Sequence, residues 1–139
     1  MRKRCARCSP WLACALGAAQ VMSAEPTSAP FFTAEQSSVG QQLYEQKCGG
    51  CHAPDLGEGS HGPALRGEHF WSTWGDKSAR ELYGRILSTM PSGDPGSLSQ
   101  RQVLALMAFI LATNGYQAGA TSLESPAQLD AVKISKVKP

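Results

Sequence analysis

The chain has 139 residues, 42% of them apolar and 17% charged, which suits one compact domain and excludes both a disordered polyelectrolyte and a membrane bundle. Thirteen basic side chains stand against eleven acidic ones, a formal charge of +2; four of the basic residues fall within the first 24 positions, which hold no acidic residue, so the remainder carries nine against eleven, or −2. The apparent basicity belongs to the N-terminus and gives no ground for a nucleic-acid partner.

Arg2, Lys3, Arg4 and Arg7 precede an uncharged, largely apolar run of twelve residues from Trp11 to Met22, the layout of a secretory signal peptide over residues 1–24. The run is well short of the ~20 residues that a bilayer-spanning helix needs, so no transmembrane segment is expected after cleavage. Cleavage is expected near Ala24, within a few positions on either side because Met22 is not the small residue favoured at −3, and the product is expected to be periplasmic. A lipoprotein reading at Cys14 fits poorly, since Trp11 stands where a small aliphatic residue is needed. With Cys5, Cys8 and Cys14 in the leader, Cys48 and Cys51 are the only thiols of the exported chain, in an oxidising compartment.

Residues 25–38, rich in Pro, Ser, Thr and Ala, read as a flexible arm. A folded domain is expected over residues 39–119. Gly40, Leu43, Tyr44 and Lys47 predict a short helix running into Cys48, and the seven glycines and two prolines between residues 49 and 76 predict loops. Ser78 followed by Glu81 marks a capped helix start, with Leu82, Ile86 and Leu87 at helical spacing and a stop before Pro91. Ser99 and Gln102 open the next helix in the same way; it carries Val103, Leu106, Met107 and Ile110 and ends at Asn114-Gly115. No strand is predicted, so the fold class is all-α, with three main helices and long loops. Residues 120–139, ending in Lys133, Lys136 and Lys138, read as a polar, solvated tail.

Cys48-Gly49-Gly50-Cys51-His52 is C-x-x-C-H, the pattern of covalent c-type haem attachment: two sulfurs two residues apart reach the two vinyl groups while the next imidazole reaches the iron. A dithiol redox pair would want a β-α-β context, and a zinc site would want more ligands than His61 and His69 supply. The sixth iron ligand is sought among Met90, Met107, His61 and His69. Met107 lies in an apolar helical stripe and reads as packing, whereas Met90 follows a capped helix and precedes Pro91, Gly93, Pro95 and Gly96, on a loop able to wrap over the cofactor. His52 and Met90 would fill both axial positions, favouring outer-sphere electron transfer over binding of oxygen or peroxide. The loops expected to flank the haem, residues 53–62 and 88–98, contain no lysine or arginine, which predicts a nearly uncharged docking face.

From about Gly40 to Gly119 these residues resemble the class I cytochrome c family. The resemblance implies a cytochrome c fold around one haem c, with Gly40 and Tyr44 of the first helix crossing the last helix near Leu106, Ala108 and Phe109. It implies that the carbonyl of Pro63, in G-P-A-L-R-G, accepts a hydrogen bond from His52. Trp71, Trp74, S-A-R-E-L, S-T-M-P, D-P-G-S-L-S and N-G-Y-Q-A-G are similar, more narrowly, to cytochromes that operate beside quinoprotein (pyrroloquinoline quinone) dehydrogenases, with Trp71 or Trp74 as candidate partners of a haem propionate. The implied function is a periplasmic one-electron carrier, not an enzyme, that takes electrons from a dehydrogenase and passes them to a respiratory oxidase or cytochrome complex. Its alternatives are a haem subunit of a dehydrogenase complex and a haem enzyme of peroxidase type.

Overall fold

The computed structural model describes residues 30–136; the expected signal peptide, its cleavage site and residues 25–29 of the arm lie outside the described residues. Five α-helices follow in order: α1 (Ala34–Lys47), α2 (Gly49–His52), α3 (Gly67–Trp74), α4 (Ala79–Thr89) and α5 (Gln100–Thr113), with a 3₁₀ turn at Pro126–Leu129. Among the described residues there is no strand, only an isolated antiparallel bridge between Ser78 and Lys133. The fold is all-α, as expected, and α1, α4 and α5 are its three main helices.

Each main helix starts at a capping box: Thr33 with Gln36, Ser78 with Glu81, Ser99 with Gln102. The reciprocal bonds satisfy backbone N–H groups that the first turn leaves without partners. Helix α5 ends at Asn114, and Gly115 takes the left-handed conformation that closes it.

Helix α5 is apolar around most of its circumference, so it is buried on nearly all sides and forms the centre of the core. Helix α1 crosses it at backbone contact. A Cβ on Gly40 would stand 2.0 Å from the Ala105 carbonyl oxygen and 2.9 Å from the Phe109 Cβ, so only glycine allows this approach. One turn later the fully buried Tyr44 ring packs on Phe109, their centroids 5.5 Å apart.

Three expectations are corrected. The arm does not extend to residue 38: Phe31 and Phe32 are buried, and α1 begins at Ala34, six residues before Gly40. Only Gly40, Leu43 and Tyr44 of α1 are buried, so the helix shows little apolar periodicity, and its start is legible only from the Thr33-Gln36 cap. The expected loops between residues 49 and 76 contain α2 and α3. Helix α3 has no capping side chain to announce it and is held by Phe70, which is buried, and by the flanking Trp71 and Trp74.

The third correction concerns the tail, which is packed as far as it is described. Leu123, Leu129, Val132 and Ile134 are buried, isolated apolar residues in a polar background that docking of the backbone brings to the core. The Gln36 amide bonds both the N–H and the carbonyl of Leu123, each at 2.8 Å. Lys133 pairs with Asp76 at 3.3 Å and Lys136 pairs with Glu68, exposed contacts of small energetic weight.

Gly40→Ala tests the crossing. Alanine is favoured over glycine within a helix by about 1 kcal/mol, yet here its methyl group meets backbone. A net loss of about 1–3 kcal/mol or more is expected in urea unfolding of the holoprotein.

Candidate cofactor site

Helix α1 delivers the C-x-x-C-H motif directly. Cys48 is its C-cap, donating its N–H to Tyr44 at 2.8 Å, and the Cys48 carbonyl accepts from the N–H of both Cys51 and His52 at 3.0 Å, winding α2 into a single turn. The chain leaves that turn at Ala53 in a left-handed conformation (φ 64°), held by the Tyr44 hydroxyl, which donates to the carbonyls of Ala53 at 2.7 Å and His52 at 3.2 Å. Burial pushes the Tyr44 phenol up to about 12, with the neighbouring Cys48 and Asp55 adding to the effect, so it stays a donor near neutral pH.

Two glycines let the following loop fold back. A Cβ on Gly59 would lie 1.8 Å from the Cys51 carbonyl oxygen, and one on Gly62 would lie 2.6 Å from His52 Nδ1. The loop then brings the Pro63 carbonyl to 2.8 Å from His52 Nδ1. A carbonyl only accepts, so Nδ1 carries a proton, and in the neutral ring this makes Nε2 the nitrogen able to bind a metal. Asn114 secures the end of the loop, donating to the carbonyls of Leu65 and Ile110 at 2.9 Å and accepting from the Gly67 N–H. The N–H of Gly57 and the Arg66 guanidinium hold the exposed Asp55 carboxyl below its usual range.

Cys48, Cys51, His52, Pro63 and Met90 all line one cavity of about 560 Å³, within the size range of small-molecule and cofactor sites. Met90, the C-cap of α4, comes to it from a different part of the chain and is fixed by its own N–H on the Ile86 carbonyl at 3.0 Å. Leu82, Ile86, Leu106 and Ile110 supply apolar lining. The donor set suits a haem: two thiols on one turn, an imidazole of fixed tautomer, a thioether from another element and an apolar enclosure. It does not suit a redox dithiol, which needs a lowered thiol pKa, because burial pushes the Cys48 thiol up to about 11, with Cys51 raising it further. Among the described residues no group of three His, Cys, Asp or Glu side chains is placed to hold a metal ion, as zinc would require.

The other candidates separate cleanly. Met107 is fully buried and outside the cavity lining; His69 is exposed and also outside it, whereas His61 lines it, its Nδ1 2.8 Å from the Ser60 hydroxyl. Trp74 lines the cavity and Trp71 does not, packing instead edge-on against Phe70. Two cations were not anticipated. Lys47 and Arg85 line the cavity from α1 and α4, although the flanking loops hold no basic residue, and neither has an ion-pair partner among the described residues. Arg85 lies between Leu82 and Ile86 on one face of α4, a placement that helical spacing from those residues would have indicated.

Comparison with known proteins agrees with this geometry. Residues 35–110 match the family described as cytochrome c oxidase, cbb3-type, subunit III. The fold is similar to the crystal structure of the sulfane dehydrogenase SoxCD from Paracoccus pantotrophus, with a TM-score of 0.55 and 20% sequence identity over 87% of this chain and 68% of that one. No curated protein matches the chain. The family match spans more than half of the sequence, and the chain belongs to that family: it is a class I c-type cytochrome with a haem bound covalently through Cys48 and Cys51, an electron-transfer haem protein.

Cys48→Ser and Cys51→Ser, separately and together, are expected to leave little or no mature holoprotein, because the helices close around an apolar cofactor that the apo chain lacks. Haem-stained gel electrophoresis after expression with the attachment machinery measures this, and covalent haem at wild-type level in the double variant would contradict the assignment.

Proposed function

We propose that this cytochrome is an exported, periplasmic one-electron carrier whose iron is held by His52 and Met90. The observation that carries the reading is the convergence on one apolar cavity of an imidazole locked in the ligating tautomer by Pro63 and a thioether supplied by the end of a separate helix. When bound, the haem supplies the one-electron couple of its iron. His52 and Met90 would be the residues that hold the iron, and a thioether ligand would favour its ferrous state and suit electron transfer over binding of oxygen or peroxide.

The remaining residues tune and orient. Pro63 fixes the ring plane of His52 and makes it a stronger donor. Arg85 and the Trp74 indole are cavity groups suited to the haem carboxylates: the guanidinium would pair with one and the indole N–H would donate a hydrogen bond, holding the cofactor edge. The apolar lining excludes water and keeps the environment nearly constant as the charge on the iron changes by one.

The donor in this reading is a periplasmic dehydrogenase, quinoprotein-dependent by the resemblance of S-T-M-P, D-P-G-S-L-S and N-G-Y-Q-A-G, and the acceptor is a respiratory oxidase or cytochrome complex. The leader at residues 1–24 supports export. Among the described residues no helix is long and apolar enough to cross a membrane. A haem-enzyme reading has one observation in its favour, His61 in the cavity lining, and it requires an iron open to exogenous ligands.

Met90→Ala is expected to keep the covalent haem, lose the weak near-infrared sulfur-to-iron band, lower the reduction potential and admit carbon monoxide to the ferrous iron. Met107→Ala is expected to keep the band and to cost about 2–5 kcal/mol of stability as a core truncation. The reverse pattern would assign the ligand to Met107, and rapid carbon monoxide binding by the reduced wild-type protein would favour the enzyme reading.

A further inference from the structure

The cavity has two sides that are held in different ways. The Cys48–His52 side hangs from the crossing of α1 and α5, through Gly40, Tyr44 and the Pro63 loop. The other side consists of α3 and α4, and the main packing partners of α4 are only α5 and the 3₁₀ turn at Pro126–Leu129. That turn lies in the segment after α5, beyond the family-matched residues, which end at 110.

Residues 116–136 run from one side to the other. At the near end the Tyr116 N–H bonds the Leu111 carbonyl at 3.1 Å, the Gly119 N–H bonds that of Phe32 at 2.9 Å, and Leu123 is clasped by the Gln36 amide, all on the α1–α5 frame. At the far end the Val132 carbonyl accepts from the Ala79 N–H at 2.8 Å, at the first residue of α4. Just before it, Ile134 exchanges two 2.8 Å backbone bonds, donating to Lys77 and accepting from Asp76. The Tyr116 hydroxyl closes the path by accepting from the Ser135 N–H at 2.9 Å. Leu129, Val132 and Ile134 are buried along it.

Helix α4 is 11 residues long, about 16 Å at 1.5 Å per residue. It is gripped by this segment at one end and carries Met90 at the other. A short helix moves as a rigid body, so release of its N-terminus becomes a displacement of the thioether. We propose that residues 116–136 form a strap that positions α4 and so keeps Met90 on the iron, with Tyr116 and Ile134 as positioning residues. The inference rests on the reading of Met90 as sixth ligand. It makes the closure of the iron a property of a segment distant in sequence from every ligand, and thioether dissociation a consequence of strap release.

The test uses secreted holoprotein carrying Tyr116→Phe, Ile134→Ala or both, with Met90→Ala and Val103→Ala for comparison. Val103 is a buried α5 position that does not line the cavity, so its truncation lowers stability without touching the strap contacts described above. With covalent haem and helix content unchanged, the strap variants are expected to weaken the sulfur-to-iron band and to speed carbon monoxide binding to the ferrous protein by about tenfold, in proportion to the population with the thioether released. Val103→Ala is expected to show neither change at an equal fall in Tm. Strap variants that lose stability yet keep full band intensity and wild-type carbon monoxide kinetics would overturn the proposal, as would an equal opening of the iron in Val103→Ala. If Met90→Ala itself keeps the band, the ligand reading fails instead, and the strap then has no ligand to position.

Discussion

The backbone contact between α1 and α5 at Gly40 is the constraint on which the rest of the molecule depends. With Ala105 carbonyl oxygen in the space a methyl group would fill, the two helices meet closely enough for Tyr44, one turn on, to bury its ring against Phe109 and send its hydroxyl to the carbonyls that follow the C-x-x-C-H turn. Both cysteines and the histidine thereby inherit their orientation from a helix crossing some distance from the cofactor. The same helix carries Gln36, which clasps the strap. One close approach therefore anchors the cysteine turn and the near end of the strap alike.

An electron-transfer haem protein has to change charge with little rearrangement, and the cavity is suited to this. Its lining is mostly apolar, while its key polar groups have fixed partners: His52 Nδ1 on Pro63 and Tyr44 on Ala53. Packed side chains and satisfied hydrogen bonds have no low-energy alternative arrangement, so little reorganisation accompanies a change of charge. Lys47 and Arg85 are the exceptions, cations at the cavity without protein counter-ions among the described residues. They alter the expectation of a nearly neutral rim. The flanking loops hold no lysine or arginine, but the end of α1 and one face of α4 contribute the charge those loops lack.

The C-terminal segment has the opposite character from the core it covers. Its apolar residues are few and separated, its ion pairs are exposed, and its backbone is attached by one hydrogen bond to the start of α4 and two to the connection before it. Such a segment opens locally at a lower free energy than the helix crossing beneath it. The part of the structure that bears on Met90 is accordingly softer than the part that fixes His52.

The cofactor, α4, α5 and the end of α1 were legible in the amino-acid sequence, because those features are written in local spacing. C-x-x-C-H needs only one helical turn to bring its three side chains together, and the boxes at Ser78 and Ser99 are reciprocal bonds between residues three apart. Met107 is set apart from Met90 on local grounds as well, since a methionine within an apolar stripe is packed away. Tertiary structure alone decided what lies between distant segments: that Trp74 and not Trp71 reaches the cavity, that Lys47 joins it, and that residues 31–33 and 120–136 belong to the folded body. Phe32 meets Gly119 and Ala79 meets Val132 through backbone groups that every residue carries, and the Gln36 side-chain amide meets only the backbone of Leu123, so no pairing of side chains announces those contacts, and they form only once the helix crossing has brought the segments together.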